Sequence, residues 1–357
     1  MNSKIVLNRT NKYWNIPGFT DVHVHLREPG FLYKETIETG CNAAAAGGYS
    51  CICAMPNINP VPDSLESLKV SLDAIERDRS ADGSGGKVKV LPYGSIAAGE
   101  KGEKLAKLEE MAPYVIAFSD DGVGVQNRAL MKEAMIRAKA LGKIIVAHCE
   151  DENYPRESSE SEYKQLKSDI ELVRETGCKY HVCHLSTKES VELVRRAKAE
   201  GLDITCETAP HYLVLNRDMI EDHGRFKMNP PIKAEEDRLS LVSGIKDGTI
   251  DMIATDHAPH SIEEKDVQFK DSLYGIVGLE TAFPVLYTEL VKKGVITLER
   301  LVELMAVAPC ERFGIDMPNT TYMWDLEEEY VIEPQNFESK GRSTPFDGWR
   351  VYGRIKL

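Results

Sequence analysis

Eight times along this 357-residue chain, a short apolar run is followed by a polar loop and a helical stretch. The runs are Gly18–His25, Tyr49–Ala54, Val88–Gly94, Tyr114–Ser119, Lys143–His148, Lys179–His184, Asp203–Glu207 and Ile250–Thr255. Most are near-continuous and rich in Val, Ile, Cys and Ala, which suits parallel strands covered on both faces. Gly47, Gly142, Gly177, Gly201 and Gly248 each follow a helical stretch, where the residue after a helix takes a left-handed backbone. Ser186-Thr187-Lys188-Glu189 fits a capping box, and Asp63 is a candidate cap for another helix. Eight strand–helix units in about 290 residues predict an α/β fold, a (β/α)8 TIM barrel. The rival, a doubly wound open sheet, often carries a glycine-rich loop after its first strand; here the first strand ends in HVHLREPG instead.

The pattern stops near Asp316, so residues 17–316 form the expected barrel. Residues 1–16 and 317–357 are left over. Their β-like pieces, Lys4–Leu7, Glu329–Ile332 and Trp349–Leu357, are expected to join in a small, shortened β-sheet appended from both chain ends. With 44 basic and 57 acidic side chains the net charge is −13, which argues against nucleic acid or an anionic membrane as a partner. No leader-like segment and no apolar run of about 18 residues is present, so a cytoplasmic protein without membrane spans is expected. The eight cysteines show no CxxC pair, and six lie in or beside strand-like runs. Free buried thiols in a reducing compartment follow.

Chemistry concentrates where the strands end, at what would be the mouth of a barrel. The first strand ends in His23-Val24-His25, whose period-2 spacing turns both imidazoles to one face. The fourth ends in Ser119-Asp120-Asp121-Gly122, the fifth at His148, the sixth at His184 and the eighth in Ala254-Thr255-Asp256-His257-Ala258-Pro259-His260. Seven of the nine histidines lie at these ends or one turn away, which chance placement explains poorly. Imidazoles and carboxylates without thiolates suit zinc, with manganese, cobalt or iron as alternatives. His23, His25 and Asp256 would serve one ion and His148 and His184 another, with Asp121 or Asp120 as a candidate bridge. Such cations lower the pKa of bound water from about 15.7 to about 7, so hydrolysis of a polarised carbonyl, or its reverse, is implied. Arg27 lies two residues past His25 and is suited to pairing a carboxylate. A salt bridge to Glu28 or Glu35 is the plainer alternative. Asn57 and His260 are further candidate anchors, against a turn residue and a solvated loop histidine.

Taken together, Pro17-Gly18-Phe19-Thr20-Asp21-Val22-His23-Val24-His25-Leu26-Arg27-Glu28-Pro29-Gly30, Ala54-Met55-Pro56-Asn57, His181-Val182-Cys183-His184, Met228-Asn229-Pro230-Pro231 and the Asp256–His260 motif resemble the signatures of dihydroorotases. The likeness is to the bacterial class I branch of the amidohydrolase superfamily. It runs from about Pro17 to Gly314 and resumes at Ser343-Thr344-Pro345-Phe346-Asp347-Gly348-Trp349. The resemblance implies two Zn2+ ions per chain. One would be held by His23, His25 and Asp256, the other by His148 and His184, with Asp121 bridging and no carbamylated lysine. It further implies substrate contacts at Arg27, Asn57, Asn229, His260 and the backbone of Tyr274-Gly275. The implied reaction is the reversible cyclisation of N-carbamoyl-L-aspartate to L-dihydroorotate in pyrimidine synthesis, with Asp256 as the catalytic proton carrier. The partners expected besides this small-molecule substrate are a second copy of the chain, as a homodimer, and aspartate transcarbamoylase. Three departures stand out. The segment before Pro17 is short, Asp151–Glu162 is shortened, and Tyr212 stands where a second histidine is common, leaving His211 as a structural residue. The competing functions are a hydantoinase- or allantoinase-like hydrolase and an inactive scaffold homologue.

Overall fold

The computed structural model describes residues 7–81 and 88–356. Two short antiparallel strands come first, β1 (Asn8–Thr10) and β2 (Tyr13–Pro17). The ring strands follow as β3 (Phe19–Val24), β4 (Tyr49–Ala54), β5 (Lys89–Pro92), β6 (Ile145–Ala147), β7 (Tyr180–Val182), β8 (Ile204–Thr208) and β9 (Met252–Ile253). β3, β4 and β5 pair in parallel in that order, and so do β6 to β9.

The expected fourth strand, Tyr114–Ser119, is not a regular strand. Its backbone still stitches the two sheets together. Ile116 N donates to Pro92 O at 3.0 Å and Ser119 N to Gly94 O at 2.9 Å, while Val146 N donates to Phe118 O at 2.9 Å. The ladder breaks off there because Asp120 turns its carboxylate onto the amides of Ile96 and Ala97, with Ile96 N at 2.7 Å. On the far side, His25 N donates to His257 O at 2.8 Å and closes the ring. The result is a (β/α)8 barrel with eight positions, one of them irregular. Val22, Cys51, Cys53, Tyr93, Ala117, Val146, Cys183 and Met252, drawn from strands around the ring, pack into one buried cluster, so the barrel is a filled core and not a pore.

Several local expectations shift by a residue or two. β5, β6 and β9 are shorter than their apolar runs. After the helix Ile37–Ala46, Gly47 is right-handed at φ −84° and Gly48 takes the positive φ of 82°. A Cβ at Gly48 would meet the Trp324 ring at 2.5 Å, so the small appended sheet also requires glycine there. Thr187 rather than Ser186 caps the helix Lys188–Ala199, since Ser186 is bound to Glu162. Asp63 does not cap the helix Leu65–Ala81; Ser64 accepts from Ser67 N, and Asp63 accepts from Gly99 N at 3.0 Å.

The appended sheet runs in the order β1, β2, β10 (Thr321–Val331), β11 (Arg350–Lys356). Its N-terminal share is Asn8–Pro17, not Lys4–Leu7, of which residues 4–6 lie outside the described residues. Glu329–Ile332 proves to be the end of a longer strand, because β10 pairs with β2 as well as β11. Trp324 anchors this sheet to the barrel, with its ring 4.3 Å from that of Phe283. All eight cysteines are buried and lie outside any disulfide. No helix among the described residues is long and apolar enough to cross a membrane.

Candidate metal centre

Strand pleating puts His23 and His25 on one face, and each is held from behind. His23 Nδ1 donates to Glu207 Oε1 at 2.7 Å, and His25 Nδ1 donates to Asn57 Oδ1 at 2.7 Å. Both Nε2 atoms therefore face the middle of the mouth. His23 Nε2 lies 3.2 Å from Asp121 Oδ1 and 3.4 Å from Asp256 Oδ1. His25 Nε2 lies 3.1 Å from Asp256 Oδ1 and 3.3 Å from Asp121 Oδ2. On the opposite side, His148 Nδ1 is 2.9 Å from His184 Nε2, and these atoms are 3.7 and 3.6 Å from Asp121 Oδ1. Asp121 thus stands among all four imidazoles, whereas Asp120 faces the amides of Ile96 and Ala97.

The ligand atoms of His23, His25 and Asp256 lie within 4.8 Å of one another, and so do those of His23, Asp121 and His184. A third set, His23, Cys183 and Glu207, lies behind the first, where Glu207 is already bound to His23 and His181. His211 belongs to none of these sets; burial pushes its pKa down to about 4, and its ring packs edge-on against Tyr212.

The cluster is electrostatically incomplete without positive charge. Burial would raise the carboxyl pKa of Asp121, but His23, His148 and His184 hold it well below the usual range. Burial acts the same way on Asp256, and His23 and His25 bring it to about 2. Burial opposes a charge on His23, yet Asp121, Cys183, Glu207 and Asp256 raise its pKa well above normal. Meanwhile His23 Nε2 and Asp121 Oδ1 are buried without a hydrogen-bond partner. Orphaned donor atoms facing one another, in a cluster of neutral-capable nitrogens and ionised oxygens, fit a divalent cation. Backbone strain is stored here too. Arg27, His184 and Asp256 are three of the five non-glycine residues with positive φ among the described residues.

Beside the cluster, Arg27 is half-buried and forms no ion pair among the described residues. Neither expected alternative holds: Glu28 pairs with Arg77, and Glu35 binds Ser339, Lys340 N and His257. Arg27 Nε donates to Pro259 O at 3.1 Å, and its Nη2 lies 3.4 Å from His260 Nε2. His260 is not a solvated loop residue. It is buried, 3.0 Å from Lys34 Nζ, and donates to Tyr274 O at 2.8 Å. Burial, then Arg27 and Lys34, push its pKa down to about 3. Asn229 reaches the same mouth and donates to Glu150 Oε2 at 2.7 Å. The Gly275 amide is already committed to Lys227 O at 3.0 Å. Sequence reasoning missed Glu207, Glu150 and Lys34. Glu207 and Glu150 sit at strand ends like the histidines, which was the available signal; Lys34 offered none.

A closed barrel with nitrogen and oxygen ligands gathered at the carboxyl ends of its strands defines a metal-dependent hydrolase of the amidohydrolase type. Solved structures agree. L-hydantoinase (dihydropyrimidinase) from Arthrobacter aurescens superposes with a TM-score of 0.82 at 27% identity, covering 95% of this chain and 82% of that one. Dihydropyrimidinase from Brevibacillus agri gives 0.81 at 21% identity, covering 96% and 83%, and shows the fold alone. In sequence, the dihydro-orotase-like family pattern matches residues 14–190. The dihydroorotase of Ligilactobacillus salivarius is 46% identical over 380 residues, covering 99% of this chain and 87% of that protein. That of Brevibacillus brevis is 47% identical over 366 residues, covering 94% and 84%. The chain belongs to the dihydroorotase family.

Proposed function

We propose that this protein is a zinc-dependent dihydroorotase that interconverts N-carbamoyl-L-aspartate and L-dihydroorotate in cytoplasmic pyrimidine biosynthesis. The observation that carries this reading is the pair of ligand sets sharing His23, with a half-buried Arg27 that has no ion-pair partner among the described residues beside them. His23, His25 and Asp256 would hold one ion, and His148 and His184 the other, with Asp121 between them. When bound, zinc supplies Lewis-acid polarisation of a carbonyl and acidifies water.

The chain's own groups do the rest. Arg27 offers a bidentate fork to the substrate carboxylate, with His260 alongside as a neutral imidazole. Asn57 gives its oxygen to His25 and so turns its amide hydrogens toward the mouth. Asn229, held by Glu150, and the Tyr274-Gly275 turn, whose Tyr274 O accepts from His260, border the mouth as well. In the hydrolytic direction, water adds across the ring C–N amide bond, its oxygen to carbon and a proton to nitrogen. Asp256 takes the proton from the attacking water and passes it to the leaving nitrogen. A hydantoinase would have no use for Arg27, because a simple hydantoin lacks the carboxylate.

The deciding experiment is hydrolysis of dihydroorotate by purified, zinc-loaded protein, with dihydrouracil and hydantoin as controls and metal content measured alongside. Turnover of dihydroorotate with about two ions per chain is expected. Turnover of the controls alone would reject the reading. The division into a barrel at 17–316 and an appended segment from both ends, homodimerisation, and association with aspartate transcarbamoylase belong to the same proposal. Limited proteolysis and co-elution in size-exclusion chromatography test these.

A further inference from the structure

We propose that Glu150 is a positioning residue that couples the His148 side of the metal centre to the substrate-facing loops, with Arg156 as its lock. The inference rests on the reading that His148 and His184 hold a cation. The side chain of Glu150 is only 13% exposed, and both carboxylate oxygens are fully engaged. Oε2 accepts from His148 Nε2 at 2.9 Å and from Asn229 Nδ2 at 2.7 Å. Oε1 accepts from Arg156 Nε at 2.7 Å and Nη2 at 2.5 Å. The Arg156 guanidinium then lies 4.8 Å from the ring centroid of Tyr274, whose carbonyl accepts from His260. One carboxylate therefore touches a candidate ligand and a candidate substrate contact, and through one arginine it reaches the opposite wall.

Each contact has a physical consequence. A proton held on His148 Nε2 leaves the Nδ1 lone pair pointing inward, toward His184 and Asp121. The bond to Asn229 fixes the plane of its amide, and with it the direction of its remaining polar atoms. Arg156 cancels the charge of Glu150, so a carboxylate required for alignment does not repel an anionic substrate. The local chain makes this feasible. The short run after Glu150 turns through residues 152–158 and enters the helix Ser159–Thr176, which brings Arg156 back over Glu150 six residues later. An ordinary surface salt bridge would contribute only to stability and would touch neither His148 nor Asn229.

The test uses the full-length, metal-loaded enzyme and two variants, Glu150→Gln and Arg156→Ala, each checked for folding by circular dichroism. Release of the two ions is followed against a chelator such as dipicolinate, and kcat and KM are measured separately. Glu150→Gln is expected to weaken retention of one ion by about 10–100-fold and leave the other unchanged. Arg156→Ala is expected to raise KM roughly tenfold with kcat within about threefold, and Arg156→Lys to recover part of that loss. Wild-type release of both ions by Glu150→Gln, or wild-type KM in Arg156→Ala, overturns the inference. Should Glu150→Gln fail to fold, the Arg156→Ala arm decides alone, because that side chain is 36% exposed and its removal leaves the core intact. Ion release needs no substrate. Failure of the wild type to hydrolyse dihydroorotate would therefore reject the proposed function while the chelator arm still judged this one.

Discussion

Buried carboxylates behave in opposite ways at the two ends of this molecule. At the mouth, Asp121, Asp256 and Glu207 are all held below their ordinary pKa, with Glu207 at about 2. Beneath the appended sheet, Glu280 lines a cavity of about 610 Å³, and burial pushes its pKa up to about 7. Among the described residues its hydrogen-bond donors are the amides of Glu338 and Ser339, at 3.0 and 3.2 Å. Burial raises the pKa at every one of these sites. What reverses it at the mouth is a ring of imidazoles close enough to carry charge. The contrast teaches that imidazoles facing the carboxylates at the mouth sustain their charge, whereas Glu280, with amide donors alone, tends to neutralise.

The strongest way to break that contrast is Asp256→Asn, which keeps the shape and removes the ionised oxygen. The fold should persist, and kcat should fall roughly 10²–10⁴-fold; near-normal kcat would show that the charge held at Asp256 is not used. Glu207→Ala comes next. It strands His23 Nδ1 and His181 Nε2 without their buried acceptor, so denaturant unfolding should report a loss of about 3–5 kcal/mol. An unchanged midpoint would mean the histidines can do without it. Metal analysis then sharpens the picture on the imidazole side. Because Asp121 stands between both proposed sites, Asp121→Asn should weaken retention of both ions, whereas His148→Asn should lose one; equal losses would contradict a shared Asp121.

The smallest effect lies at Glu280. Its folded pKa of about 7 exceeds its ordinary 4.5, so folding favours the protonated form. The stability this confers is complete below about pH 4.5 and is lost as the pH rises through about 7. Glu280→Gln should therefore match the wild type near pH 4.5 and exceed it at pH 8, by up to about 3 kcal/mol. Equal stability at both pH values would place Glu280 among the ionised acids.

Much of this was legible in the chain itself. The period-2 spacing of His23 and His25, the apolar runs ending at His148 and His184, and Asp256 after the last run all reach one mouth, because a parallel barrel sends every strand's carboxyl end to the same side. The fourth position was misjudged as a regular strand because its apolar run is genuine. What bends it is Asp120 seeking the amides of Ile96 and Ala97, a contact between residues 24 apart. The strand-end pattern alone left Asp120 and Asp121 open as the central carboxylate, the resemblance pointed to Asp121, and the structure turns Asp120 onto the amides of Ile96 and Ala97.

The sequence by itself determined which residue types stand at the strand ends, and hence the ligand chemistry, because strand periodicity is a local property of the backbone. Only the tertiary structure decided which ring nitrogen faces inward. Glu207 holds His23 across 184 residues, and Asn57 holds His25 across 32. Those partners meet only when strands separated in sequence pack together in the barrel, and no local pattern encodes a contact that such packing creates.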